Sequence, residues 1–188
     1  MYALILTRAQ RSQRGFTLIE TMVVVAIVAV LAALAAPSFT PIIERWRVRD
    51  ATESLQSALY LARSEAIKRG GNVVIRKELT GTNGCPLASG TSDWDCGWFV
   101  FVDANSNGTL NTGEEVLQRF AAPNNIQVTR SANGEFLRFD RWGRSGPFGF
   151  SIVPVDNSTS NPAARGLCMS SGGRIRVTSD SAEIPCND

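Results

Sequence analysis

Gly15-Phe16-Thr17-Leu18-Ile19-Glu20 opens an apolar run that continues to Ala36, where Pro37 interrupts it. As an α-helix, 21 residues from Phe16 to Ala36 rise roughly 30 Å, about the thickness of a bilayer's hydrocarbon core. Glu20 is the single charge in the run. A carboxylate at that depth is costly and calls for both a purpose and a partner. Cutting the chain between Gly15 and Phe16 supplies one, since the new α-ammonium lies four residues from Glu20 and offsets its charge within or between chains. Arg8, Arg11 and Arg14 precede the run with no acidic residue among them. The positive-inside rule then leaves the N-terminus in the cytoplasm and sends the rest of the chain across the membrane.

Downstream of Pro37 and Pro41 the pattern becomes amphipathic. Val48, Ala51, Leu55, Ala58, Leu59, Ala62 and Ala66 recur at spacings of three and four, one face of a helix that Gly70-Gly71 ends. Arg49/Glu53 and Glu65/Arg69 are four apart on its outer side. Short strand-like runs follow at Asn72 to Lys77, Gly97 to Asp103, Val116 to Phe120, Ile126 to Arg130, Phe136 to Asp140, Phe148 to Val155 and Arg174 to Thr178. Trp98 to Val102 is nearly all apolar, which predicts an inner strand. Thr80 to Asp95 and Asp156 to Gly173 are predicted as polar loops. One long helix packed on antiparallel sheet makes an α+β domain.

Residues 1–70 carry nine Lys/Arg and five Asp/Glu, and residues 71–188 carry ten and twelve, so the β-rich part has net charge −2. A general polyanion binder would be basic. Any nucleic-acid contact must therefore be local. The four cysteines, Cys85, Cys96, Cys168 and Cys186, all follow the membrane run. An even number in an exported region suggests two disulfides with three possible connectivities, of which Cys85 to Cys96 and Cys168 to Cys186 close the shortest loops. With no histidine there is no Ser-His-Asp or Cys-His arrangement and no zinc site of the usual kind. The chain reads as a non-enzyme.

Arg14-Gly15 followed by Phe16-Thr17-Leu18-Ile19-Glu20 resembles the processing site of type IV prepilins and pseudopilins. The resemblance implies cleavage after Gly15 by the prepilin peptidase, N-methylation of Phe16, and a Glu20 that docks the subunit on its neighbours. Leu59-Tyr60-Leu61-Ala62-Arg63-Ser64-Glu65-Ala66-Ile67-Lys68-Arg69-Gly70 resembles the helix end of the GspH/FimT family, minor subunits of type IV pili and type II secretion pseudopili. The implied fold is pilin-like α+β, a long N-terminal transmembrane-plus-amphipathic helix on an antiparallel β-sheet domain. Its expected parts are a leader at 1–15, a span at 16–36, an amphipathic helix at 37–70 and a GspH/FimT-type domain at 71–188. Other pilin subunits, the peptidase and methyltransferase, and the inner-membrane assembly platform are the implied partners. An ordinary secretory signal peptide and a membrane-anchored periplasmic binding module are the competing readings.

Two motifs carry ligand chemistry. Gly173-Arg174-Ile175-Arg176-Val177 places both arginines on one face of a strand, where paired guanidinium groups grip phosphates. It resembles a Gly-Arg-x-Arg element of FimT-type minor pilins, which implies DNA binding during natural transformation. Arg165, with Arg141 and Arg144, would widen the patch if the fold gathers them. In a GspH-like secretion pseudopilin the same arginines need bind no DNA. Asp103-Ala104-Asn105-Ser106-Asn107-Gly108, followed by Glu114, fits the spacing of an EF-hand calcium loop, with Asp103, Asn105, Asn107 and Glu114 as ligands. Its flanks read as strands rather than helices, so a plain hairpin loop is preferred. Arg138-Phe139-Asp140-Arg141-Trp142-Gly143-Arg144 interleaves aromatics with arginines. Core aromatics alternating with surface charge are preferred there to stacking on single-stranded bases.

Overall fold

A computed structural model describes residues 15–35, 39–82, 85–86 and 88–186. They form two compact units divided at Thr40. The leader up to Arg14, and Pro37, lie outside the described residues.

The first unit holds α1, Leu18–Ala35. Thr17 caps it: its hydroxyl oxygen accepts from the Glu20 amide at 3.3 Å, the Thr-x-x-Glu spacing of a capping box. Glu20 also lies in the first turn, where a carboxylate complements the exposed amides of the helix start. Val, Ile, Leu and Ala cover the whole circumference of α1, and its side chains are exposed from Leu18 to Leu34. A helix apolar on every side has no reason to face water. At 18 residues α1 rises ~27 Å. Among the described residues no helix is by itself long and apolar enough to cross a membrane.

The second unit begins with α2, Thr40–Arg69. Pro41 sits in its first turn, where a missing N–H breaks no helical hydrogen bond. Val48, Ala51, Leu55, Ala58, Leu59, Ala62 and Ala66 are all buried. Thr52 joins them, its hydroxyl satisfied by the Val48 carbonyl at 2.6 Å. Burying Leu55 and Leu59 completely contributes about 2 kcal/mol apiece. On the outer side Arg49 pairs with Glu53 and Arg69 with Glu65, both at 2.7 Å. The Gly71 amide closes the last turn on the Ala66 carbonyl at 2.7 Å, with Gly70 at φ 79°. Residues 36–38, through which a single long helix is expected to run, lie outside the described residues, and α1 and α2 are described on either side of them.

Eight strands follow: β1 Val73–Lys77, β2 Trp98–Val102, β3 Val116–Phe120, β4 Ile126–Arg130, β5 Phe136–Phe139, β6 Phe148–Pro154, β7 Arg165–Met169 and β8 Ile175–Thr178. They form two antiparallel four-stranded sheets, ordered β3-β2-β1-β5 and β4-β6-β7-β8. β7 lies inside the segment expected to be a polar loop, because burial there comes from pairing with β6 rather than from an apolar run. The core joins the buried face of α2 to Ile75, Val100, Leu137 and Phe139 of the first sheet and Val128, Phe150, Ile152, Leu167 and Met169 of the second. Every buried hydrophobic residue among those described lies between Val48 and Cys186, so the unit from Pro41 onward carries a complete core of its own.

Disulfides join Cys85 to Cys96 and Cys168 to Cys186. The second ties the C-terminal segment over the outer face of the second sheet, where Gly149 leaves the room. A Cβ there would stand 2.8 Å from the Cys186 Cβ.

Candidate functional site

The β7/β8 pair sets the direction of every arginine near the C-terminus. Leu167 lies opposite Val177 and Cys168 opposite Arg176. Leu167 and Met169 point into the core, so Arg176 projects from the other face with Cys168. There its Nη1 donates to Glu183 Oε2 at 2.8 Å, and half of the expected arginine pair carries a counter-charge. Glu183 is held by the 3-10 turn Ser181–Glu183, which Asp180 caps. Arg174 precedes the strand in the tight turn Ser170 to Arg174, and its side chain is exposed.

Arg165 does not join them. It has the parity of Leu167 and lines a groove with Arg49, Glu53, Gln56 and Val177 on the helix side of the sheet. Its Nη1 donates to the carbonyls of Ala164, Ala163 and Pro162 at 2.7, 3.3 and 3.4 Å. The expectation that Arg165 joins Arg174 and Arg176 is therefore corrected: strand alternation puts Arg165 on the face opposite Arg176.

A different turn lies beside Arg174. Asp140 Oδ1 accepts from the amides of Trp142 and Arg144 at 2.9 and 2.8 Å, and the Arg144 guanidinium pairs with its other oxygen at 3.1 Å. The Arg144 amide above all holds the Asp140 carboxyl below its usual range, with the Trp142 amide and the guanidinium adding to it. The tight turn sends Phe139 into the core and throws Trp142 outward, where it is 67% exposed. The expectation of core aromatics thus holds for Phe139 and fails for Trp142, because the chain reverses between them. Gly143 sits at φ 71°, pressed against α2 so closely that a Cβ would meet Arg63 Cγ at 2.7 Å and Ile67 Cδ1 at 3.0 Å. Arg63 Nη1 then donates to the Gly173 carbonyl at 2.5 Å. One α2 side chain thereby brings the two turns together, and a Cβ on Gly173 would lie 3.6 Å from the Gly143 carbonyl oxygen. Arg141 and Arg174 are exposed, and neither has an ion-pair partner among the described residues.

The Asp103 to Glu114 loop is closed on itself. Asp103 is wholly buried; its oxygens accept from the Asn107 and Gly108 amides at 3.0 and 2.8 Å and from Arg138 Nη2 at 2.9 Å. Arg138 Nη2 also donates to the Ser106 carbonyl at 2.8 Å. Asn105 and Asn107 accept from the Asn107 and Thr109 amides, and Glu114 from those of Ala104 and Asn111. The calcium reading of Asp103, Asn105, Asn107 and Glu114 is corrected accordingly. A guanidinium already supplies positive charge at the buried carboxylate, and the flanks are β2 and β3. Among the described residues no group of three acidic or sulfur ligands is placed to hold a metal ion.

Asp95 is a buried carboxylate that sequence patterning did not single out. Its Oδ1 accepts from the Val128 amide at 2.5 Å, pinning β4, and burial raises its pKa. That role is structural.

Residues 51–173 match the family described as Type II transport protein GspH, and residues 10–36 match the prokaryotic N-terminal methylation motif. The pilin-like protein PilA1 of Thermus thermophilus is 31% identical over 175 residues, covering 88% of this chain and 99% of that protein. Two crystal forms of the Pseudomonas aeruginosa PAO1 type IV minor pilin FimU share the fold. One has TM-score 0.57 at 21% identity, covering 76% of this chain and 97% of FimU. The other has TM-score 0.53 at 22%, covering 74% and 99%. The leader motif fits a membrane-anchored pilin, and the pilin family implies association with other pilin or pseudopilin subunits. The chain belongs to the GspH family, the GspH/FimT-type minor pilins and pseudopilins, whose members are structural subunits rather than enzymes.

Proposed function

We propose that this subunit serves a type IV pilus and captures DNA there. It is made as a prepilin, cut after Gly15 and methylated on Phe16, and held in the inner membrane by residues 16–36 with its N-terminus cytoplasmic. Glu20 docks it on a neighbouring subunit at the assembly platform, and the domain from residue 71 faces outward. The observation that carries DNA capture is Arg174, an exposed guanidinium with no acidic partner among the described residues, on a turn fixed to α2 by Arg63. Arg176, shared with Glu183, contributes less.

Binding of duplex DNA by residues 41–188 across a salt series tests this against Arg174→Ala. Weak, sequence-independent binding should fall with salt at a shallow slope, as only a few phosphates are engaged. The variant should lose most of it. No binding at low salt removes DNA capture and leaves a priming subunit.

The second reading is a pseudopilin of a type II secretion system that binds no DNA. The Arg176–Glu183 pair favours it, since it neutralises one of the two arginines.

A further inference from the structure

We infer that Trp142, on the joined turns that also carry Arg141 and Arg174, is a stacking platform for an unpaired base of single-stranded nucleic acid. The inference rests on the DNA-capture reading and adds the form of the strand.

Trp94 and Trp98 are fully buried, whereas Trp46 and Trp142 are exposed, Trp46 on α2 and Trp142 on a turn. Trp142 is 67% exposed on a turn that has little freedom to move. Asp140 fixes two of its amides, Gly143 needs its positive φ, and Arg63 and Ile67 back it from α2. A large ring held rigidly in water costs solvation and gives the fold nothing in return. A ligand with a flat apolar face would recover that cost at little ordering entropy.

Charge narrows the ligand further. Arg141 adjoins Trp142 in sequence, and Arg174 adjoins Gly173, whose turn meets Gly143 at Arg63. With no acidic partner among the described residues, both guanidinium groups remain available to anions. A ring on the same pair of joined turns as two such cations suits a chain that alternates flat bases with phosphates. In a duplex the bases are stacked on one another and present only their edges, so the ring would contribute nothing and the arginines alone would bind. Single strands therefore gain more from this surface than duplexes do. An acidic protein would satisfy the arginines but has no general need for the ring.

The test uses residues 41–188 with Trp46→Phe, which removes the other exposed tryptophan. An oligothymidylate of about twelve nucleotides and a duplex of the same length are titrated at low salt while tryptophan emission is followed. The single strand should quench emission. Trp142→Ala should weaken single-strand binding about tenfold and duplex binding little, while Trp142→Phe retains most of the preference. Because the side chain is exposed, these variants should keep the parent's unfolding midpoint. Equal loss for both forms, or unchanged single-strand binding in Trp142→Ala with loss in Arg174→Ala, overturns the platform while leaving DNA capture standing. If neither the single strand nor the duplex binds, both readings fail. Association with another pilin subunit that needs Trp142, with oligonucleotide binding indifferent to it, assigns the surface to protein docking and overturns the inference.

Discussion

Arg63 Nη1, on α2, donates to the carbonyl oxygen of Gly173 at 2.5 Å, 110 residues further along the chain. This bond joins the helix to the turn that carries Arg174, while the stem of the same side chain packs under Gly143. Position of the candidate surface thus depends on one residue outside it. Arg63→Ala should cost residues 41–188 about 2 kcal/mol in urea unfolding, the loss of a charge-assisted hydrogen bond. Gly143→Ala should cost about 1–3 kcal/mol, since it forces a Cβ at φ 71° against Arg63 Cγ.

Asp103 and Arg138 form the centre of the β2–β3 loop. Asp103→Ala would orphan the Gly108 amide and strip the Arg138 guanidinium of its counter-charge at a buried position, costing about 3 kcal/mol. Calcium at millimolar concentration should leave the thermal midpoint of the parent unchanged; a rise that disappears with chelator would restore the cation loop.

Two carboxylates give opposite pH dependence. Burial raises the Asp95 pKa, so its contribution to stability is fully present below the unfolded value and is lost as pH rises through the folded one. Asp95→Asn, which keeps an acceptor for the Val128 amide, should compare better with the parent at pH 7 than at pH 4. The Asp140 pKa is lowered, chiefly by the Arg144 amide, so its contribution is present above the unfolded value and is lost as pH falls through the folded one. Asp140→Asn should therefore compare worse at pH 7 than at pH 3. Urea midpoints across that range check both signs.

The Cys168–Cys186 bond closes a loop over a sequence separation of 18. Replacing both cysteines with serine should cost about 3 kcal/mol. It should also release Ile184 from its buried contact with Val153 and Ala164, seen as faster amide exchange from Asp180 onward.

If Glu20 acts in docking, Glu20→Ala should be cut after Gly15 normally yet be absent from sheared filaments. Immunoblots of the membrane and filament fractions separate the two steps. A plain membrane anchor would make the same substitution harmless.

Much of the second unit could be read from local pattern. The face from Val48 to Ala66 repeats every three to four residues whatever it packs on, and the bounds of β3 and β4 are marked by flanking Gly and Pro-Asn turns. β7 escaped because Arg165-Gly166-Leu167-Cys168-Met169 has too little alternation, with no side chain at Gly166, and gains its burial only through pairing with β6. The division into two sheets was equally hidden. β1 pairs with β5 across β2, β3 and β4, a nonlocal choice that leaves no periodic signal. Arg165 was misplaced for a related reason: whether it shares a face with Arg176 depends on the β7–β8 register, and Trp142 left the core through a turn that Asp140 makes.

Among the described residues none before Val48 contributes to the buried core, while α1 is exposed along the described part of its length. Entering or leaving a filament therefore asks nothing of the domain's own fold. Under the proposed anchoring, the cost of exchange falls on α1 alone, which trades lipid for the helices of its neighbours. Such a subunit is a reusable part. Under that anchoring it would be drawn from a standing pool, built in, and returned intact for another round.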